Sequence, residues 1–169
     1  MTGYNCTRCG EHHPELPFSY ESPAPTVWSS IPEKERAQRG VLGAEQCVID
    51  GRHHFVKARL LLPVDGSKTP FEWVVWMALD PKDFKRMSDL WKSPGREKEP
   101  AYAGLLATRL PGYNADTVAL QGKVRTRPVG ERPVVELEGA DHPLVKEQKI
   151  GIPLKRVQEL AELVRHGPK

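Results

Sequence analysis

The chain has 169 residues, within the roughly 100–200 residues of one ordinary domain, and this excludes a second full domain. A 38% hydrophobic content plus 14 glycines supplies a core of ordinary size, so neither a disulfide lattice nor a metal is needed to hold the bulk together. Twenty-five basic and 22 acidic residues leave a net charge of +3, spread without a long block of like charges, and nucleic acid is not implied. Three cysteines cannot all pair within one chain, which argues against a secreted disulfide framework and for reduced thiols or a metal. With no stretch near the ~18 apolar residues of a membrane span, and no charged-then-apolar order in MTGYNCTRCGEHH, a cytoplasmic, non-membrane protein is expected.

In chain order, one domain over 1–169 is expected, built from four parts. Residues 1–15 form a polar knuckle around Cys6 and Cys9, and 16–40 form a Pro-rich loop with a short helix. Pro14, Pro17, Pro23 and Pro25 hold that loop extended, and Ser30-Ile31-Pro32-Glu33 reads as a capping box opening a short helix that Gly40 stops, with a solvated loop over Glu33, Lys34, Glu35 and Arg36 as the alternative. A sheet-rich core with one helix spans 41–152. There, 47–50 and 55–62 flank Gly51-Arg52, and Asp65-Gly66-Ser67 leads into 71–79, giving two hairpins. The apolar density of 71–79 predicts a central strand covered on both faces, or one face capped by a helix. Asp80-Pro81 supplies an N-cap and a first-turn proline for a helix over 81–92, with Phe84, Met87, Leu90 and Trp91 at helical spacing. Residues 101–110 are ambiguous, whereas 117–125 and 134–137 read as strands. A C-terminal helix over 153–166 carries Leu154, Val157, Leu160, Ala161 and Val164 on one face. The fold class is α+β, an antiparallel or mixed sheet with segregated helices and an N-terminal segment like a zinc knuckle.

Cys6-x-x-Cys9-Gly10 is the sharpest chemical signal, because two thiolates two residues apart can grip one cation from a tight turn. It is half of a tetrahedral site. A Cys3His set of Cys6, Cys9, His13 and Cys47 is the assembly expected to hold structural zinc, with His12, His53 and His54 as reserve ligands. A redox dithiol would sit at a helix N-terminus after a strand, which the following Gly-Glu-His-His-Pro contradicts. Cys47 can equally be a buried core thiol. Four protein ligands would leave no position for an activated water, so such a zinc would not be catalytic.

Asp141, His142 and Glu147 form a second cluster, in which a carboxylate could orient an imidazole for general-base work, against a local turn as the plainer reading. No Walker loop, HExxH, GxGxxG or nucleophile elbow is present, and no catalytic residue is assigned. Trp73 and Trp76 fall on opposite strand faces, as core residues would. Arg59, Arg125, Arg127, Lys57 and Lys123 could form a stripe for RNA or DNA, yet a solvated sheet face has the same spacing. The leading expectation is a non-catalytic protein that binds another protein; an enzyme using the Asp141/His142/Glu147 region and a weak nucleic-acid binder are the alternatives.

The ordered set Cys6-x-x-Cys9-Gly10, His13, Leu16-Pro17, Cys47-Val48-Ile49-Asp50, Phe55, Pro63, Trp73-x-x-Trp76, His142-Pro143-Leu144, Glu147-Gln148 and Gly151-Ile152 resembles the bacterial domain-of-unknown-function 2199 family over nearly the whole chain. The resemblance implies a small bacterial cytosolic protein in which Cys6, Cys9, His13 and Cys47 occur together. It supplies no activity, substrate or catalytic residue.

Overall fold

The computed structural model describes residues 3–139 and 141–168; Met1, Thr2, Ala140 and Lys169 lie outside the described residues. The chain starts with a small hairpin, β1 (Tyr4–Asn5) and β2 (His12–His13). It then passes through β3 (Ser19–Glu21), two 3-10 turns (Thr26–Ser30 and Glu33–Glu35) and the one-turn helix α1 (Arg36–Arg39) to β4 (Gly40–Leu42). The long antiparallel run is β5 (Gln46–Ile49), β6 (His53–Leu62) and β7 (Phe71–Leu79), followed by α2 (Pro81–Asp89) and a third 3-10 turn (Arg96–Lys98). Last come β8 (Tyr102–Leu106), β9 (Gln121–Arg125), β10 (Val134–Leu137), α3 (Pro143–Ile150) and α4 (Leu154–His166). The class is α+β with a mixed sheet.

Strands β6 to β10 close into a small barrel. Each is antiparallel to the next, and β10 returns to pair with β6 in parallel, Val134 opposite Arg59 and Val135 opposite Leu60. Parity requires this: in an up-and-down ring of five strands, the first and last run the same way. β6 is long enough to serve two neighbours on one edge. Its first half pairs with β5, which carries β4 outward, and its second half takes β10. β3 adds to β7 in parallel.

Alternation along β6 and β7 explains the core. Val56, Ala58, Leu60 and Leu62 meet Phe71, Trp73, Val75 and Met77 in one apolar cluster, which α3 and α4 extend with Leu144, Val145, Val157 and Leu160. The other face of β7 is also covered: Trp76 joins Ile31, Cys47, Ile49, Phe55 and Ala107 in a second cluster. Trp73 and Trp76 thus lie on opposite faces, and the 71–79 run is central because both of its faces are buried.

Asp80 caps α2 as its sequence predicts, accepting from the Lys82 amide at 2.8 Å. The capping box at Ser30 does not form. Ile31 lies before Pro32 and is held extended (φ −82°, ψ 126°), so no helix can run through it, and 26–39 breaks into two 3-10 turns and α1. The 41–152 stretch carries two helices, not one, because 143–150 is α3. Among the described residues, no helix is long and apolar enough to cross a membrane.

Candidate metal centre

The hairpin β1–β2 is only two residue pairs long, Tyr4 with His13 and Asn5 with His12. Its connection is the CxxCG turn, closed by the Gly10 amide on the Cys6 carbonyl at 3.0 Å, with the Arg8 amide 3.4 Å from Cys6 Sγ. Gly10 takes φ +76°, a left-handed conformation that glycine adopts freely. Gly3 is needed for a different reason: a β-carbon there would stand 1.7 Å from the His13 carbonyl oxygen. Alternation on β2 sends His13 inward, 6% exposed, and His12 outward to Asn5 Oδ1 at 2.8 Å.

The hairpin lies along α4. Gln158, Glu162 and His166 recur every fourth residue, one stripe on one helix face. Gln158 donates to the Asn5 carbonyl at 2.9 Å, the Glu162 carboxylate accepts from the Thr7 amide and hydroxyl, and the His166 ring reaches Cys6. The Arg8 guanidinium donates to the Gly167 carbonyl just past the helix end. Tyr4, Cys6 and Ala161, with Leu16 beside them, form a small apolar cluster under these polar contacts.

The result is a group of four donors, Cys6, Cys9, His13 and His166, whose ligand atoms all lie within 4.8 Å of one another. Cys6 Sγ is 3.2 Å from His166 Nε2, and Cys9 Sγ is 3.4 Å from His13 Nε2. Around a tetrahedral zinc with bonds of ~2.0–2.3 Å, neighbouring donors stand roughly 3.3–3.8 Å apart; the two sulfur–nitrogen contacts are close to that spacing, and the whole group, within 4.8 Å, could close on one ion. The donor set fits a borderline-soft cation. Cys6 and His13 are buried, whereas Cys9 and His166 face solvent.

Cys47 is not in this group. It sits on β5, 1% exposed, packed with Ile49, Phe55 and Trp76 on the far side of β7 from the main barrel core. Burial pushes its thiol up to about 11, so it is a neutral core side chain at ordinary pH. The position expected of Cys47 is taken by His166, whose signal was the fourfold spacing with Gln158 and Glu162. Among the reserve histidines, His53 is exposed at the start of β6, and His54 stacks on Phe84 with ring centroids 4.8 Å apart.

Of the second cluster, His142 and Glu147 both lie beside Tyr113, the His142 and Tyr113 ring centroids being 6.1 Å apart, whereas Asp141 is turned to solvent. His142 is the N-cap of α3: Nδ1 accepts from the Leu144 amide at 3.0 Å, and Nε2 lies 3.1 Å from the Ala115 and Asp116 carbonyls, so both ring nitrogens are engaged by backbone. Asp141 is exposed, and Glu147 accepts from Arg156 Nε at 2.9 Å, with the Arg156 guanidinium over the Tyr113 ring. The basic stripe is matched by carboxylates throughout. Lys57 faces Glu21, Arg59 faces Glu72, Lys123 faces Glu138, Arg125 faces Glu136 and Arg127 faces Glu131.

A family model described as "Uncharacterized protein conserved in bacteria (DUF2199)" matches residues 5–152. The chain belongs to the DUF2199 family. The DUF2199 match contains Cys6, Cys9 and His13 and ends before α4, so the fourth donor lies outside the matched span. No curated protein and no solved structure matches the chain.

Proposed function

We propose that Cys6, Cys9, His13 and His166 hold one zinc ion as a structural clasp, and that the protein is a non-catalytic cytoplasmic component acting through contact with another protein. The observation that carries the clasp is the convergence of four Cys and His donors from opposite ends of the chain. Two-residue strands cannot hold a hairpin on their own in water, and an ion shared between the turn and α4 would supply the missing stability. All four positions would be filled by protein, which leaves none for an activated water. The engagement of both His142 ring nitrogens by backbone speaks against His142 as a base, and the exposed Ile150 (80%) and Val41 (72%) are the side chains a partner would cover.

Elemental analysis of reduced, purified protein is expected to give about one zinc per chain. His166→Ala is expected to lower zinc retention after dialysis against a chelator, and Cys47→Ser to leave it unchanged. A metal-free protein whose hairpin amides remain protected would overturn the clasp. For the binding role, affinity capture from the native host is expected to recover a protein that Val41→Asp or Ile150→Asp releases; recovery of none above background counts against it.

A further inference from the structure

The four donors of the clasp are not equally covered. Cys6 is 4% exposed and packed with Tyr4 and Ala161, and His13 is buried with its ring centroid 5.1 Å from that of Tyr4. Cys9 and His166 face solvent, so the cluster has a closed edge and an open one. Cys9 is also the one cysteine of the three that a solute can reach, since Cys6 is buried and Cys47 is sealed in the separate cluster around Trp76. A thiol in that position is where oxidants and electrophiles react first.

Its neighbour in the turn is a second thiol. The sulfurs of Cys6 and Cys9 lie within 4.8 Å of each other, and a disulfide needs them at ~2.0 Å. The turn has space for that closure: Gly10, next to Cys9, has nothing within 4 Å of where a β-carbon would stand. The same two sulfurs are half of the donor set. Once both are tied up in a disulfide, His13 on β2 and His166 on α4 are the only donors left, too few for a closed zinc site. The bonds from Gln158 to Asn5, from Thr7 to Glu162 and from Arg8 to Gly167 involve no sulfur, so the hairpin stays on α4 while the hold on His166 is lost.

We infer that Cys9 is a site of oxidation by a hydroperoxide, resolved by Cys6 into an intrachain disulfide that releases the zinc; this rests on the clasp proposed above and names its regulation. In the first step Cys9 Sγ attacks one peroxide oxygen, the O–O bond breaks, and the departing hydroxide takes a proton to leave as water, with Cys9 left as a sulfenic acid. In the second, Cys6 Sγ attacks Cys9 Sγ, the S–S bond forms as the S–O bond breaks, and the second oxygen leaves as water after taking a proton. Two thiolates are oxidised, one hydroperoxide is reduced, and a dithiol reductant reverses the change.

The test treats the full chain, reduced and zinc-loaded, with hydrogen peroxide beside a chromogenic zinc indicator, against a peroxide-free control. Peroxide is expected to release about one zinc per chain over the control, with two thiols lost per chain and a Cys6–Cys9 disulfide in the peptide mass map of a monomeric product. Dithiothreitol followed by zinc is expected to restore the starting state. Cys47→Ser is expected to release zinc as the parent does. Zinc retained through peroxide treatment, a disulfide that joins two chains or includes Cys47, or release with Cys6 still a free thiol overturns the inference and leaves the clasp standing. A reduced protein that takes up no zinc overturns the clasp and this inference with it, so the two failures are told apart by the zinc content before peroxide is added.

Discussion

The barrel and the amino-terminal hairpin both hold strands together, with different material. In the barrel, β6 and β7 pair over nine residues, and side chains such as Leu60 and Phe71, 0% exposed, fill the space between strands. The hairpin has two residue pairs and a cluster of three buried apolar residues, one of them on α4, and is held to a polar stripe on α4 beside four convergent donors that could hold a metal ion. Where the chain can bury continuous apolar surface it needs no ion. Where a turn must be shaped from a dozen polar residues, directional contacts replace the missing core.

The sharpest way to break this contrast is to remove barrel packing. Leu60→Ala is expected to cost ~2–5 kcal/mol in denaturant unfolding and to take the hairpin down with the barrel, because α4 rests on the same core. Metal removal should act in one direction only. A chelator is expected to strip hydrogen-exchange protection from the hairpin and the last turn of α4 while β6 and β7 stay protected, with Cys9 becoming alkylated and Cys47 remaining inert; simultaneous labelling of Cys47 would mean the two regions unfold as one. Cys47→Ser is expected to cost ~1–3 kcal/mol by burying a hydroxyl in an apolar cluster, without altering metal content.

Two smaller effects sharpen the picture of the barrel's outer face. Ala119→Gly is expected to raise stability by up to ~1 kcal/mol, read from the denaturation midpoint, since glycine carries no penalty at φ +74°. Hydrogen bonds from Arg39 and Arg109 hold the carboxyls of Asp50 and Asp116 below their usual 3.8. Depressed folded values mean that any stabilisation is complete above the unfolded value and is lost as pH falls through the folded one. NMR titration should therefore place both midpoints below 3.8, with only a slight effect on stability because the pairs are exposed.

Much of the barrel is legible in the chain because its signals are written in side chains: the alternation of 55–62, the apolar density of 71–79, and the Asp80-Pro81 start of α2. The short strands β1 to β4 are not, since two- or three-residue pairings leave too little pattern. α3 is hidden because its N-cap is a histidine, and the first-turn Pro143 reads as a turn. For the metal centre, residue type and spacing bring out Cys6, Cys9 and His13, but the fourth donor is sought there in Cys47 or in His12, His53 and His54, and His166 is not among the candidates. Helical spacing puts Gln158, Glu162 and His166 on one face, but only the packing of the hairpin along α4 shows that this face meets Cys6, while Cys47 is turned into the cluster around Trp76.

The parallel seam of the barrel also sets an order of assembly. β10 is the last of the five staves in chain order, and among the described residues the ladder that completes the ring joins residues 134 and 135 to residues 59 and 60. Until then β6 and β9 present open edges, the arrangement most prone to pair with another chain. The buried Arg96 guanidinium donates to the carbonyls of Arg127, Pro128 and Glu131 and so fixes the loop that leads into β10. Closure thereby joins residues far apart in the chain: four pairs fasten β10 to β9, and two to β6 seal the ring.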